Sequence, residues 1–247
     1  MKNENAINNS LNGKKVIILG GSAGLGLATA KLADAYGANV VIVSSNEERL
    51  QRALKELSLS STSYAVDLTK EEQIRSFFAQ IGNFDHLVYT AAENLNLKTI
   101  AETEVEQAKD FFNLRFWSAF ASVKYAAPLL NPGGSISLTS GIASMRPGAG
   151  WSVATSICSA MEGFTKAMAV ELAPIRVNCV APGVIQTNLW DSMSAADREN
   201  MYQMVSEQSL VKRSGKPEDV AEAFLYLISQ KFGTGQTIVI DGGAILV

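Results

Sequence analysis

The chain has 247 residues, 47% hydrophobic and 18% charged, with a formal net charge of -3. That is the balance of one large globular domain with a well-filled core, and it excludes a disordered chain. It also excludes a generally basic surface for nucleic acid or anionic membrane, and no apolar run approaches the roughly 18 residues of a membrane span.

The Asn-rich start, MKNENAINNSLNGKK, has no apolar core of the kind a secretory signal needs, and residues 1–12 read as a polar, mobile N-terminus. Two cysteines, Cys158 and Cys179, make no disulfide framework, so a reduced, cytoplasmic protein is expected. His86 is the sole histidine, which excludes a multi-histidine metal site. No metal is expected, and His86 reads as a partly buried structural residue at the start of a strand.

In chain order, strands are expected at Lys15–Leu19, Asn39–Val43, Ser63–Val66, His86–Thr90, Ser135–Thr139, Arg176–Val180 and Thr237–Ile240. They are rich in Val and Ile without strict alternation, as strands buried on both faces should be. Helices are expected at Leu25–Tyr36, Glu47–Leu57, Lys70–Gln80, Glu104–Leu130, Ser152–Leu172 and Pro217–Ser229. The alternation implies an α/β fold: a Rossmann-type, doubly wound, parallel seven-stranded sheet with helices on both faces, in a single domain over 1–247. Residues 188–211 form a long excursion between two strands, placed to lie over the ligand-binding end of the sheet as a substrate loop.

The first strand is followed by Gly20-Gly21-Ser22-Ala23-Gly24-Leu25-Gly26, which opens the first helix. A turn there must bring backbone N–H groups close to a pyrophosphate, and the helix N-terminus faces the phosphate charge. At the end of the second strand, an acid would hold an NAD ribose hydroxyl and repel a 2′-phosphate. Here stand Ser44, Ser45 and Asn46, with no acid and no evident arginine. NADP is favoured, with NAD possible.

Several motifs resemble the short-chain dehydrogenase/reductases (SDRs), and the resemblance runs from Gly13 to Val247. Gly20-x-x-x-Gly24-x-Gly26 has the spacing of the family's cofactor loop. Asp67, followed by Leu68, matches an aspartate that hydrogen-bonds adenine. Pro182, Gly183, Ile185 and Thr187 match the segment flanking the nicotinamide, and Asp241-Gly242-Gly243 matches the last-strand signature. Tyr89-Thr90-Ala91-Ala92 departs from the usual Asn-Asn-Ala-Gly, with Ala91 still expected at the cofactor. By the same resemblance, Asn113 and Ser140 match two members of a catalytic tetrad. The other two, a Tyr-x-x-x-Lys pair, have no counterpart, since Ala154 and Cys158 stand at those positions.

A positioned general acid contributes about 10²–10⁴-fold, so simple ketone reduction should be slow unless Ser140, Asp191 or a water substitutes. An iminium carbon already carries the charge that protonation would create, and this substrate is preferred. Arg115, set among Leu114, Phe116 and Trp117, is a candidate contact to the cofactor or an anionic substrate group, or else an interface salt bridge. Cys158 reads as packing. Trp151, Trp190 and Met193 are expected to line an apolar substrate pocket. The overall expectation is an atypical, NADP-preferring oxidoreductase that moves hydride to or from a small, largely apolar carbonyl or iminium substrate. The alternative is a dinucleotide-binding sensor or structural subunit that has lost its chemistry. Helices 104–130 and 152–172 carry apolar residues on more than one face, and the resemblance implies a homodimer or homotetramer built through them.

Overall fold

The computed structural model describes residues 10–95 and 97–247. Seven strands form one parallel sheet: β1 (Lys15–Leu19), β2 (Asn39–Ser44), β3 (Thr62–Ala65), β4 (Phe84–Tyr89), β5 (Leu130–Thr139), β6 (Arg176–Pro182) and β7 (Thr237–Ile240). Their order is β3-β2-β1-β4-β5-β6-β7, the doubly wound Rossmann arrangement. The helices are α1 (Gly24–Ala35), α2 (Glu47–Leu54), α3 (Glu71–Ile81), α4 (Val105–Phe112), α5 (Ser118–Ala126), α6 (Ser152–Glu171), α7 (Ala195–Gln208) and α8 (Pro217–Ser229). No described helix is long and apolar enough to cross a membrane.

Alternate residues of β1 feed opposite layers, because side chains of a strand point to opposite faces. Val16 and Ile18 pack with Ala30 and Ala33 of α1 and with Phe224 of α8. Ile17 and Leu19 pack with Phe77 and Phe78 of α3 and with Met161 of α6. Both faces are therefore covered, which is why the strands read as continuous apolar runs.

Four expectations need correction. Residues 1–9 lie outside the described residues, but 10–12 are tied down: Leu11 is buried and its N–H donates to the Tyr36 carbonyl at 3.1 Å. The expected helix 104–130 is interrupted by a π-helical segment, Asn113–Trp117, and ends in a 3-10 turn holding Pro128. There the Asn113 carbonyl accepts the Ser118 N–H in the wider π register, and two side-chain donors join it: the Tyr89 hydroxyl donates to the Leu114 carbonyl, and Ser118 Oγ donates to the Asn113 carbonyl at 2.9 Å. The excursion 188–211 contains helix α7, started by Ser194, whose Oγ accepts the Asp197 N–H at 3.1 Å. His86 is buried rather than partly exposed, three residues into β4, with Nδ1 2.8 Å from Ser135 Oγ. Burial lowers its pKa to about 4, so it is a neutral core residue at ordinary pH.

Candidate active site

Strand order reverses at β1, with β2 on one side and β4 on the other, and a crevice opens where their carboxyl ends part. The β1–α1 turn crosses it under tight steric limits. Gly20 has φ +89°, and a Cβ there would lie 2.5 Å from Ala91 N. At Gly26 a Cβ would lie 2.2 Å from the Gly20 carbonyl oxygen, so this glycine lets α1 seat against its own loop. Ala23 precedes α1 with no side-chain cap, which leaves the first N–H groups of the helix available to an anion.

A cavity of about 350 Å³ occupies the crevice. Its wall contains Gly20, Ser22, Ala23, Gly24, Leu25, Ser44, Ser45, Asn46, Asp67, Leu68, Ala91, Pro182, Gly183, Ile185 and Thr187, together with Ser140 and Arg115. Trp151 and Trp190 are also in the wall, as are Ala154 and Cys158, one turn apart on α6. Gly26 lies behind the loop rather than in the wall, and Met193 is not in it either. Asn113 lines a different hollow, with Leu68 and Trp117. Asp191 is exposed and pairs with Arg198 at 2.7 Å, away from the cavity.

At one end of the cavity, Asp67 Oδ1 accepts from the N–H and hydroxyl of Thr69 at 2.9 and 2.7 Å. The Thr69 hydroxyl first, then its N–H and nearby Lys70, hold the Asp67 pKa low against the opposing effect of burial. Oδ2 has no hydrogen-bond partner among the described residues. Asn46 Oδ1 caps α2 by accepting the Arg49 N–H at 2.8 Å. This cap brings Arg49 back over the end of β2 and into the cavity wall, exposed and without an acidic partner among the described residues.

At the opposite end, Ser140 Oγ donates to Glu162 Oε1 at 3.1 Å, and Ser144 Oγ donates to the same oxygen at 2.6 Å. The Ser140 proton is thus directed toward Glu162. Burial pushes the Cys158 thiol up to about 11, opposed by the nearby Arg115 charge, so it is no thiolate at neutral pH. Arg115 Nη2 donates to the Glu93 carbonyl, and Nε lies 3.5 Å from Glu93 Oε2. The guanidinium carbon sits 4.5 Å from the centre of the Phe111 ring. The Arg115 ion pair is therefore internal to this chain.

Residues 20–244 match a family model described as Enoyl-(Acyl carrier protein) reductase. The chain is 33% identical to the Short-chain dehydrogenase/reductase ATR9 of Stachybotrys chlorohalonatus, covering 96% of this chain and 99% of that protein. The chain belongs to the short-chain dehydrogenase/reductase family. Among solved structures, a small-chain dehydrogenase in complex with NADPH is 35% identical with TM-score 0.85, covering 96% of this chain and 100% of that one. The MalC Reductase/Diels-Alderase from Malbranchea aurantiaca is 30% identical with TM-score 0.89, covering 97% and 99%.

The protein is thus an SDR oxidoreductase of the hydride-transferring class. Reading the sequence missed Arg49, Glu93 and Glu162. Arg49 was signalled only by the Asn46 cap, three residues earlier, and Glu162 only by its i+4 spacing from Cys158. Glu93 was signalled by its place directly after the departure at Tyr89–Ala92 from the usual SDR pattern.

Proposed function

We propose that this SDR protein is an NADP-preferring oxidoreductase that transfers hydride to a small, largely apolar carbonyl or iminium carbon, and that it is atypical in lacking the tyrosine–lysine pair on α6. The observation that carries this reading is one continuous cavity, with the glycine loop and Arg49 at one end and Ala154, Cys158 and Arg115 at the other.

A dinucleotide fits the residues present. The glycine turn admits close backbone approach, the uncapped α1 N-terminus meets phosphate charge, and Asp67 keeps one carboxylate oxygen for an adenine amine. Ser44, Ser45, Asn46 and Arg49 surround the place of a 2′-phosphate, with no carboxylate in that stretch of wall. The 35%-identical solved structure is described as a complex with NADPH, which supports the same choice. When bound, the reduced nicotinamide supplies hydride. Pro182, Gly183, Ile185 and Thr187 flank its site, and Leu114, Trp151 and Trp190 make the substrate end largely apolar. Ala154 has no proton to give, and the hydroxyl of Ser140 points to Glu162. The reaction at this end therefore proceeds without a proton relay from α6.

Residues 188–211 act in this reading as the substrate loop, since Asn188, Leu189 and Trp190 already stand in the wall. The free thiols Cys158 and Cys179 fit a reducing, cytoplasmic setting. Trp117 and Phe120 are exposed large aromatics, and Phe120 packs against Phe164 of α6 at 5.3 Å between ring centres. This surface is the contact through which two copies, or two pairs, associate.

Three outcomes are expected. Stopped-flow absorbance of NADPH, with ketones, enones and cyclic iminium ions as acceptors, should show oxidation by at least one class. Tight NADPH binding without oxidation by any of them would replace the enzyme by a dinucleotide-binding sensor. Arg49→Gln should weaken NADPH binding by about tenfold in fluorescence titration, the scale of one charge-assisted contact, and leave NADH unchanged. Equal losses for both cofactors would remove the phosphate role. Finally, light scattering after size exclusion should give a mass of two or four chains, reduced by Phe120→Asp, whereas a monomeric parent protein would refute the interface.

A further inference from the structure

A guanidinium placed in an apolar helix next to a hydride site needs an explanation, because a buried charge is costly unless fully paired. Arg115 is fixed from three sides: Nη2 by the Glu93 carbonyl, Nε opposite Glu93 Oε2 at 3.5 Å, and the flat face by Phe111 at 4.5 Å. The pairing is incomplete, since Nε and Oε2 are both buried and both lack a hydrogen bond. The remaining nitrogen, Nη1, has no protein acceptor among the described residues, and Arg115 stands in the wall of the cofactor cavity with Ala154 and Cys158. The backbone is arranged to the same end. Arg115 lies in the π-helical segment that Tyr89 holds through the Leu114 carbonyl, and that segment carries Asn113 into the neighbouring hollow. Such segments recur where a helix must redirect a functional side chain.

We propose that Arg115, positioned by Glu93, takes the place of the missing tyrosine–lysine pair by holding the substrate's oxygen on Nη1, so that the site selects carbonyl compounds over iminium ions. This rests on the hydride-transfer reading and narrows it. As the carbonyl carbon accepts hydride from the reduced nicotinamide, the C=O π pair moves onto oxygen. An N–H of Nη1 donates to the resulting alkoxide, which then takes a proton from water, leaving hydroxide to the solvent. The nicotinamide is oxidised and the carbonyl becomes an alcohol. The same positive end facing the reacting carbon repels a cationic iminium. Glu93 touches no reacting atom. It sets the orientation of the fork and balances its charge when the substrate is absent.

The test uses the full chain loaded with NADP⁺ and titrated calorimetrically with benzoate as a non-reacting oxyanion, beside ketone and iminium turnover. Arg115→Gln should bind benzoate about tenfold more weakly and lose about 10²-fold in ketone kcat, as removal of an oxyanion donor does, while raising iminium turnover. Glu93→Gln should lower ketone kcat with little change in KM, the mark of a positioning residue. NADPH fluorescence reports whether each variant is folded. If Arg115→Gln is not, Arg115→Lys carries the test, with an intermediate loss expected because charge is kept and the fork is gone. Wild-type benzoate affinity and ketone kcat in a variant that binds NADPH would overturn the proposal. A parent protein that oxidises no NADPH would instead sink the hydride reading, and the benzoate titration would still decide whether Arg115 holds oxyanions.

Discussion

The pairing of β1 with β4 is the constraint from which the site follows. Leu19 lies beside Tyr89 in register, and the Thr90 N–H donates to the Leu19 carbonyl at 2.8 Å as the two strands part. The glycine loop must therefore leave β1 directly against the exit of β4. Only there does Gly20 meet Ala91, and only there do residues after β4 reach both the cofactor loop and the helix that follows. The register places Tyr89 and Glu93 within reach of Leu114 and Arg115, so both ends of the cavity share one structural origin.

Against this regular scaffold, the interrupted helix is the local departure that gives the site its character. In the π-helical segment the Asn113 carbonyl accepts both the N–H and the hydroxyl of Ser118, and the Leu114 carbonyl accepts the Tyr89 hydroxyl. Burial lowers the pKa of Arg115, opposed by Glu93, and burial raises that of Glu93, opposed by Arg115. Each partner moderates the desolvation of the other, so removing one leaves the other exposed to the full cost.

Much of this was legible in the residues. Apolar runs such as KVIIL and NVVIV identify strands buried on both faces, and the spacing of Gly20, Gly24 and Gly26 identifies the tight turn between β1 and α1. What stayed hidden depends on contacts distant in sequence. The π-helical segment receives a hydroxyl from β4 at the Leu114 carbonyl, which no helical period reveals. Arg49 enters the wall because a cap sets the direction of α2, and Glu93 gains meaning only when Arg115 is opposite it. Helix α7 was obscured because none of its residues is buried, leaving no apolar stripe to read. Asn113 matches its motif position, and the π-helical segment holds it in the hollow beside Leu68 and Trp117, outside the cavity wall.

The most direct measurement is transfer of deuterium from NADPH labelled at the nicotinamide C4, followed by mass spectrometry of the product of a small apolar carbonyl compound or cyclic iminium ion. Either C4 epimer of the label is supplied in separate reactions. The account predicts one deuterium in the product from one epimer and none from the other, as hydride leaves a cofactor held in a single orientation. Saturating NADPH with no deuterium in any product from either epimer would contradict it.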